Sequence, residues 1–178
     1  KVYLAIDLGA GSARIMALPY DGGKLTLEEV ARWASQPVKI GDSYHWDINA
    51  IFESILGGLR AAKAKFGDAI ECIGIDTWGV DYGLLDKSDK LLGMPYIYRD
   101  SRTEGMQEYV FSRISKDEIY ASTGIQFMFF NTIFQLAADA RANAFDKAET
   151  FLMRPDLIAF MLCGEKVITR NADTVPNR

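Results

Sequence analysis

The stretch "AIDLGAGSARIMALPY", residues 5–20, decides the fold. A hydrophobic run ends in an aspartate, meets a glycine-rich turn, and a second hydrophobic run follows. Two familiar phosphate loops are excluded here. In "GAGSAR" (9–14) the third glycine of a dinucleotide fingerprint is replaced by Arg14. That fingerprint must also open a helix whose N-terminus holds the pyrophosphate, and Pro19 would break a helix within its second turn. Glu28 and Glu29, at the distance where a ribose-binding acid would stand, fall in a predicted strand. No GxxxxGK[ST] occurs in the chain, so a P-loop is absent. What remains is strand, turn, strand, with Asp7 at the end of the first strand. Such a turn either aims backbone N–H groups, Ser12 and Arg14 at an anion while Asp7 holds Mg²⁺, or is an ordinary hairpin whose turn amides Asp7 satisfies. From this stretch alone both readings stand.

Composition narrows the class. The 178 residues suit one domain, with 49% hydrophobic and 25% charged residues in the range of a globular protein. A net charge of -4 argues against nucleic acid as a partner. Cys72 and Cys163 form no CxxC and read as core residues of a reducing compartment. The apolar "LIAFMLC" (157–163) is too short to cross a bilayer, and "KVYLAIDLG" lacks signal-peptide architecture, so the expectation is a cytoplasmic protein without a membrane partner. A single histidine, His45, rules out a multi-histidine metal site and reads as a surface or hydrogen-bonding residue.

Along the chain, strands are predicted over 2–8, 14–20 and 25–33, with Asp21-Gly22-Gly23-Lys24 turning between the last two. Apolar residues at helical spacing predict a helix over 47–67, with Asp47 as N-cap and Gly67 just past its end. The internal Gly57-Gly58 pair implies a close packing contact. "IECIGIDT" (70–77) reads as a strand covered on both faces. "YGLLD" (82–86), a turn at 87–90 and "YIYRD" (96–100) follow. Helices are expected over roughly 103–114, 131–145 and 156–163, with a short strand at 150–153 and a helix starting at Pro155-Asp156 and stopping at Gly164. This order describes an α/β domain.

Five stretches taken in order carry a resemblance. "AIDLGAGSAR" (5–14), "IGIDTWGVDYGLLD" (73–86), "YRDSRT" (98–103), "STGIQFMFFNTIFQL" (122–136) and "MRPDLIAFMLCGE" (153–165) together closely resemble the N-terminal half of the FGGY carbohydrate kinase family, in its rhamnulokinase branch. The resemblance implies a ribonuclease-H-like (actin-like ATPase) domain over 1–178, a mixed sheet with helices on both faces, its opening three strands antiparallel and later ones parallel. It implies an ATP- and Mg²⁺-dependent kinase acting on a small-molecule sugar, L-rhamnulose at its 1-hydroxyl. The partner domain, C-terminal and absent from this chain, would carry the adenosine pocket and the catalytic base, so no catalytic residue is expected here. Ala10, Gly11, Ser12, Ala13 and Arg14 match the family's phosphate hairpin, and Asp7 its metal-holding aspartate. Gly79 matches a sugar-contacting position at a strand end.

Trp78 and Asp81 flank Gly79: the indole either stacks on a sugar face or packs in the core, and the carboxylate either accepts sugar hydroxyls or serves the fold. Phe127, in "GIQFMFF" (124–130), lies in a stretch that lines the sugar site in relatives and is otherwise core. Asp100 and Arg102 are expected to form an intradomain ion pair and a helix start. The chain departs from the general family pattern in "NTIFQL" (131–136), which favours the rhamnulokinase branch. Arg154 stands as an extra residue beside that branch's usual "MPD", and "ITRNADT" (168–174) follows the pattern in part. The competing readings are a non-catalytic actin-like sugar- or phosphate-binding module and a kinase of another ketose such as L-fuculose.

Overall fold

The computed structural model describes residues 1–168; most of "ITRNADT" lies outside them. Strands β1 (Val2–Leu8), β2 (Ser12–Pro19) and β3 (Glu28–Ala34) form an antiparallel meander. Asp21 makes the turn before β3, its Oδ1 accepting from the Gly23 and Lys24 backbone N–H groups at 3.0 and 2.8 Å. A small hairpin, β4 (Pro37–Ile40) and β5 (Ser43–Trp46), leads into helix α1 (Ile48–Phe66). Asp47 caps this helix through the Ala50 N–H, and Gly67 ends it with φ 56°. Strand β6 (Ile70–Thr77) then lies parallel to β1, giving the order β3-β2-β1-β6 and a mixed sheet.

Strand β7 (Tyr82–Leu85) follows, and α2 (Met106–Phe111), α3 (Lys116–Thr123) and α4 (Thr132–Arg141) come next. They gather around Met106, Val110, Ile119 and Phe134. Strand β8 (Thr150–Met153) pairs antiparallel with β7, and α5 (Arg154–Cys163) ends at Gly164, φ 76°.

Alternation decides what the sheet buries. Val2, Leu4, Ile6 and Leu8 point one way from β1 and are buried, while Tyr3, Ala5 and Asp7 point the other way and are half-buried. Ile51 and Ile55 of α1 and Leu157 and Ile158 of α5 share a core with Ile6, Leu8 and Ile15. Of the helices expected on both faces, the two that pack on the sheet among the described residues share this one core. Gly58 is the close contact foreseen in α1: a Cβ there would stand 2.6 Å from Ile15 Cδ1, whereas one on Gly57 would meet open space.

The expectation that 70–77 is covered on both faces does not hold among the described residues. No residue of β6 is buried, Cys72 is exposed and Ile73 is 44% exposed, and no described strand pairs with the strand's outer edge. Cys163 is exposed too, so neither cysteine belongs to the core. Residues 96–100 form no strand; Tyr96 makes a single bridge to His45. His45 is buried, its Nδ1 2.8 Å from the Met94 carbonyl oxygen, which fits the hydrogen-bonding role rather than the surface one.

Candidate functional site

The turn between β1 and β2 is fixed by backbone geometry. The Gly9 N–H donates to the Ser12 carbonyl at 3.0 Å, and a Cβ on Gly9 would lie 2.6 Å from that oxygen, so glycine is required. A Cβ on Gly11 would meet nothing, which leaves the turn's outer side accessible. Ala10 packs against the core, Ala13 is buried, and Ser12 is exposed. Strand register places Arg14 opposite Asp7, and the guanidinium Nε and Nη2 each sit 2.6 Å from Asp7 Oδ2. Parallel register also sets Asp7 beside Asp76 of β6. Asp76 was not singled out in the sequence, although "AID" and "GID" end neighbouring strands with the same residue.

These residues fit a nucleotide-bound Mg²⁺. Such an ion takes one or two carboxylates and completes its shell with phosphate oxygens and water. Asp7 and the adjacent Asp76 supply that number. Among the described residues no cluster of three or more His, Cys, Asp or Glu forms a dedicated protein cage.

The second part of the site begins where β6 stops. Leu8 pairs with Thr77, so the hairpin turn and the loop 78–81 leave neighbouring strand ends side by side. Val80 adopts φ 70°, a conformation a β-branched residue rarely takes. The surroundings hold it there. Its carbonyl accepts from Thr132 Oγ1 and from Gln135 Nε2, both at 3.1 Å. The same Gln135 nitrogen donates to the Phe130 carbonyl at 3.0 Å, and Gln135 Oε1 accepts from Arg102 Nη2 at 3.0 Å. Arg102 pairs with Asp139, to which Tyr82 also donates its hydroxyl. Burial and the Asp139 carboxylate outweigh Arg102 and push the Tyr82 hydroxyl's pKa upward.

Asp81 closes the loop and is fully buried. Its Oδ2 accepts from the indole N–H groups of Trp46 at 2.7 Å and Trp78 at 2.6 Å. Desolvation raises its pKa above the usual carboxylate value, even though both indoles and Arg154 pull the other way. The carboxylate therefore faces the interior, and Trp78 packs against the core beside it.

Asp100 does start a helical turn, accepting from the Arg102 backbone N–H at 3.0 Å and from the Tyr44 N–H at 2.7 Å. The expected Asp100–Arg102 ion pair does not form, because the guanidinium reaches Asp139 instead. Phe127 packs edge-on to Phe111, ring centroids 5.1 Å apart, in the helical cluster; its segment joins the loop through Gln135. Sequence reasoning did not find Gln135, Thr132 or Asp139, since each is tied to residues 33 to 57 positions away.

Residues 2–173 match the N-terminal domain of the FGGY family of carbohydrate kinases. The chain is 46% identical over 166 residues to a rhamnulokinase of Oceanobacillus iheyensis, covering 92% of this chain and 35% of that protein. It is 44% identical over 167 residues to a rhamnulokinase of Bacteroides thetaiotaomicron, covering 93% and 34%. It thus spans about a third of the length of these relatives. Among solved structures, a gluconate kinase from Lactobacillus acidophilus superposes with a TM-score of 0.80 at 17% identity, over 93% of this chain and 34% of that one. A Plasmodium falciparum glycerol kinase with ADP gives 0.64 at 17% identity, over 90% and 33%. These structures bear out the actin-like ATPase fold. The chain belongs to the FGGY family of carbohydrate kinases, whose N-terminal domain it contains.

Proposed function

We propose that this chain is the N-terminal domain of a cytoplasmic, ATP-dependent kinase that phosphorylates L-rhamnulose at its 1-hydroxyl. The observation that carries the reading is the Leu8–Thr77 pairing, which sets the glycine turn after Leu8 next to the loop of Gly79. Phosphoryl transfer needs its two substrates positioned in line more than it needs covalent help from the protein. Ala10 to Arg14 offer backbone N–H groups, the Ser12 hydroxyl and a guanidinium to the ATP phosphates. Asp7 would hold Mg²⁺, which when bound neutralises charge on the transferring phosphates.

Gly79, without a side chain, lets the sugar approach the backbone. We assign Trp78 to the edge of the sugar site and Phe127 to the segment flanking it. Asp81, buried under two indoles, supports the loop rather than accepting sugar hydroxyls. The sugar's 1-hydroxyl oxygen attacks the γ-phosphorus and ADP leaves. The hydroxyl proton passes to a carboxylate base carried by the C-terminal domain, which also supplies the adenosine pocket.

Homologues named rhamnulokinase support the sugar assignment. It is tested by ADP release from the full-length protein with Mg²⁺ and ATP across a panel of ketoses. The expected result is the highest kcat/KM with L-rhamnulose. A higher value with L-fuculose reassigns the sugar, and no ADP with any ketose selects a non-catalytic binding module.

A further inference from the structure

Arg154 follows β8 directly and opens α5, yet it is almost wholly buried, 2% exposed. Its three guanidinium nitrogens make no hydrogen bond. Instead the guanidinium carbon lies 3.7 Å from the ring centre of Trp78 and 4.9 Å from that of Trp46. The two indoles stand 4.6 Å apart at 51°, and both donate to Asp81 Oδ2. Each indole thus meets a carboxylate at its N–H edge and a cation over its face, the arrangement its quadrupole favours at both places. The Arg154 backbone N–H also donates to the Asp81 carbonyl at 3.0 Å. One residue therefore grips both ends of the loop 78–81, its side chain on Trp78 and its main chain on Asp81. Between them lie Gly79 and the left-handed Val80.

We infer that Arg154 is a positioning residue for the sugar: stacked on Trp78 and bonded to Asp81, it sets the backbone of Gly79 and so the affinity of the loop for its ligand. The inference rests on the reading of that loop as the sugar site. Burial costs the cation part of its stability and lowers its pKa to about 9, with only the Asp81 charge opposing the shift. A methionine fills much of the same space without that cost, so replacing Arg154 by methionine isolates what the cation does. No charged group of Arg154 touches the hairpin turn, so the nucleotide side of the site should not register its loss.

The test uses the full-length kinase with Arg154→Met, Arg154→Lys and, as a control on the loop itself, Gly79→Leu. Arg154→Met is expected to raise the sugar KM about tenfold while the ATP KM stays within about twofold. Arg154→Lys, which keeps a cation without the planar stack, is expected to raise the sugar KM by a smaller factor. The near-UV circular dichroism of the Trp46–Trp78 pair should change in step. If Arg154→Met does not fold, the lysine variant decides.

A folded Arg154 variant with wild-type sugar KM, or one in which sugar and ATP KM rise together, overturns the inference. A rise in sugar KM for Gly79→Leu with none for the folded Arg154 variants leaves the sugar-site reading standing and removes only the positioning role. A wild-type sugar KM for Gly79→Leu removes the reading, and the inference with it.

Discussion

Arg14 lies directly across the first hairpin from Asp7 and brings two nitrogens, each at 2.6 Å, to the same carboxylate oxygen. Both side chains are partly exposed, 44% and 35%, so the pair contributes little to stability, about 0–1 kcal/mol. Under the proposed reading, ATP phosphates would compete for the guanidinium and free the carboxylate to hold a metal. Arg14→Ala in the full-length protein is therefore expected to raise the ATP KM about tenfold with little change in thermal midpoint. Gly11→Val should do the same by filling the open side of the turn, where a Cβ meets no atom of the fold. Wild-type ATP KM in both variants would place the phosphates elsewhere.

Much of this was legible in the residues. Asp7, the glycine turn and the Pro19 stop identified a hairpin because local chemistry alone forbids a helix there. Asp47 and Gly67 marked the ends of α1 for equally local reasons. The β4–β5 hairpin was not read, since four-residue strands around "GD" carry almost no periodic signal. It is held by distant partners: Trp46 N–H on the Pro95 carbonyl and Ile97 N–H on the Tyr44 carbonyl. The same distance hid the support of the loop 78–81. Nothing in "DTWGVD" announces that Val80 takes φ 70°, because Gln135 and Thr132, more than fifty residues on, impose it. The apolar run at 70–77 has the composition of a strand with cover on both faces, while none of its residues is buried among the described residues.

The two adjacent glycines of α1 should respond to alanine with opposite signs. Gly57 is exposed with open space at its Cβ position, so Gly57→Ala gains about 0.5–1 kcal/mol of helix propensity. At Gly58 the new methyl would stand 2.6 Å from Ile15 Cδ1 and 3.1 Å from Ala31 Cβ. Ile15 is fully buried and must shift its Cδ1, and Ala31 Cβ must give as well, so overpacking of about 1–3 kcal/mol outweighs the propensity gain. Urea denaturation of the two variants measures this; equal shifts would contradict the packing of α1 on β2.

Asp81 should leave a signature in the pH dependence of stability. Its carboxyl is held above 3.8 by burial, so between that value and its folded pKa the folded state binds the more protons. Stability from this group is then greatest at the acid end and falls as pH rises through the window. Asp21 and Asp86, lowered by backbone N–H groups, act in the opposite sense, so the wild type alone does not isolate the effect. Asp81→Asn removes only the one titration. The stability of wild type minus that of Asp81→Asn, from urea curves between about pH 4 and 7, is expected to decrease with rising pH. An increase would mean that Arg154 and the indoles outweigh desolvation.

The present 178 residues alone should not turn over. A sugar hydroxyl is a weak nucleophile, and a positioned base typically contributes about 10²–10⁴-fold to such a step. The proposed reading places that base, and the pocket that orients ATP in line, in the two thirds of the relatives that this chain does not cover. Within the described residues Asp7 and its strand neighbour Asp76 stand where the proposed reading puts the metal, and Asp81 is buried under two indoles. Exclusion of water from the transferring phosphoryl group further requires a second domain to close over the cleft. The chain is therefore expected to bind nucleotide weakly and to release no ADP with L-rhamnulose, Mg²⁺ and ATP, while the full-length protein does so under the same conditions. Comparable turnover by the two would show that the base lies within this chain, and the division of labour between the two domains would fall.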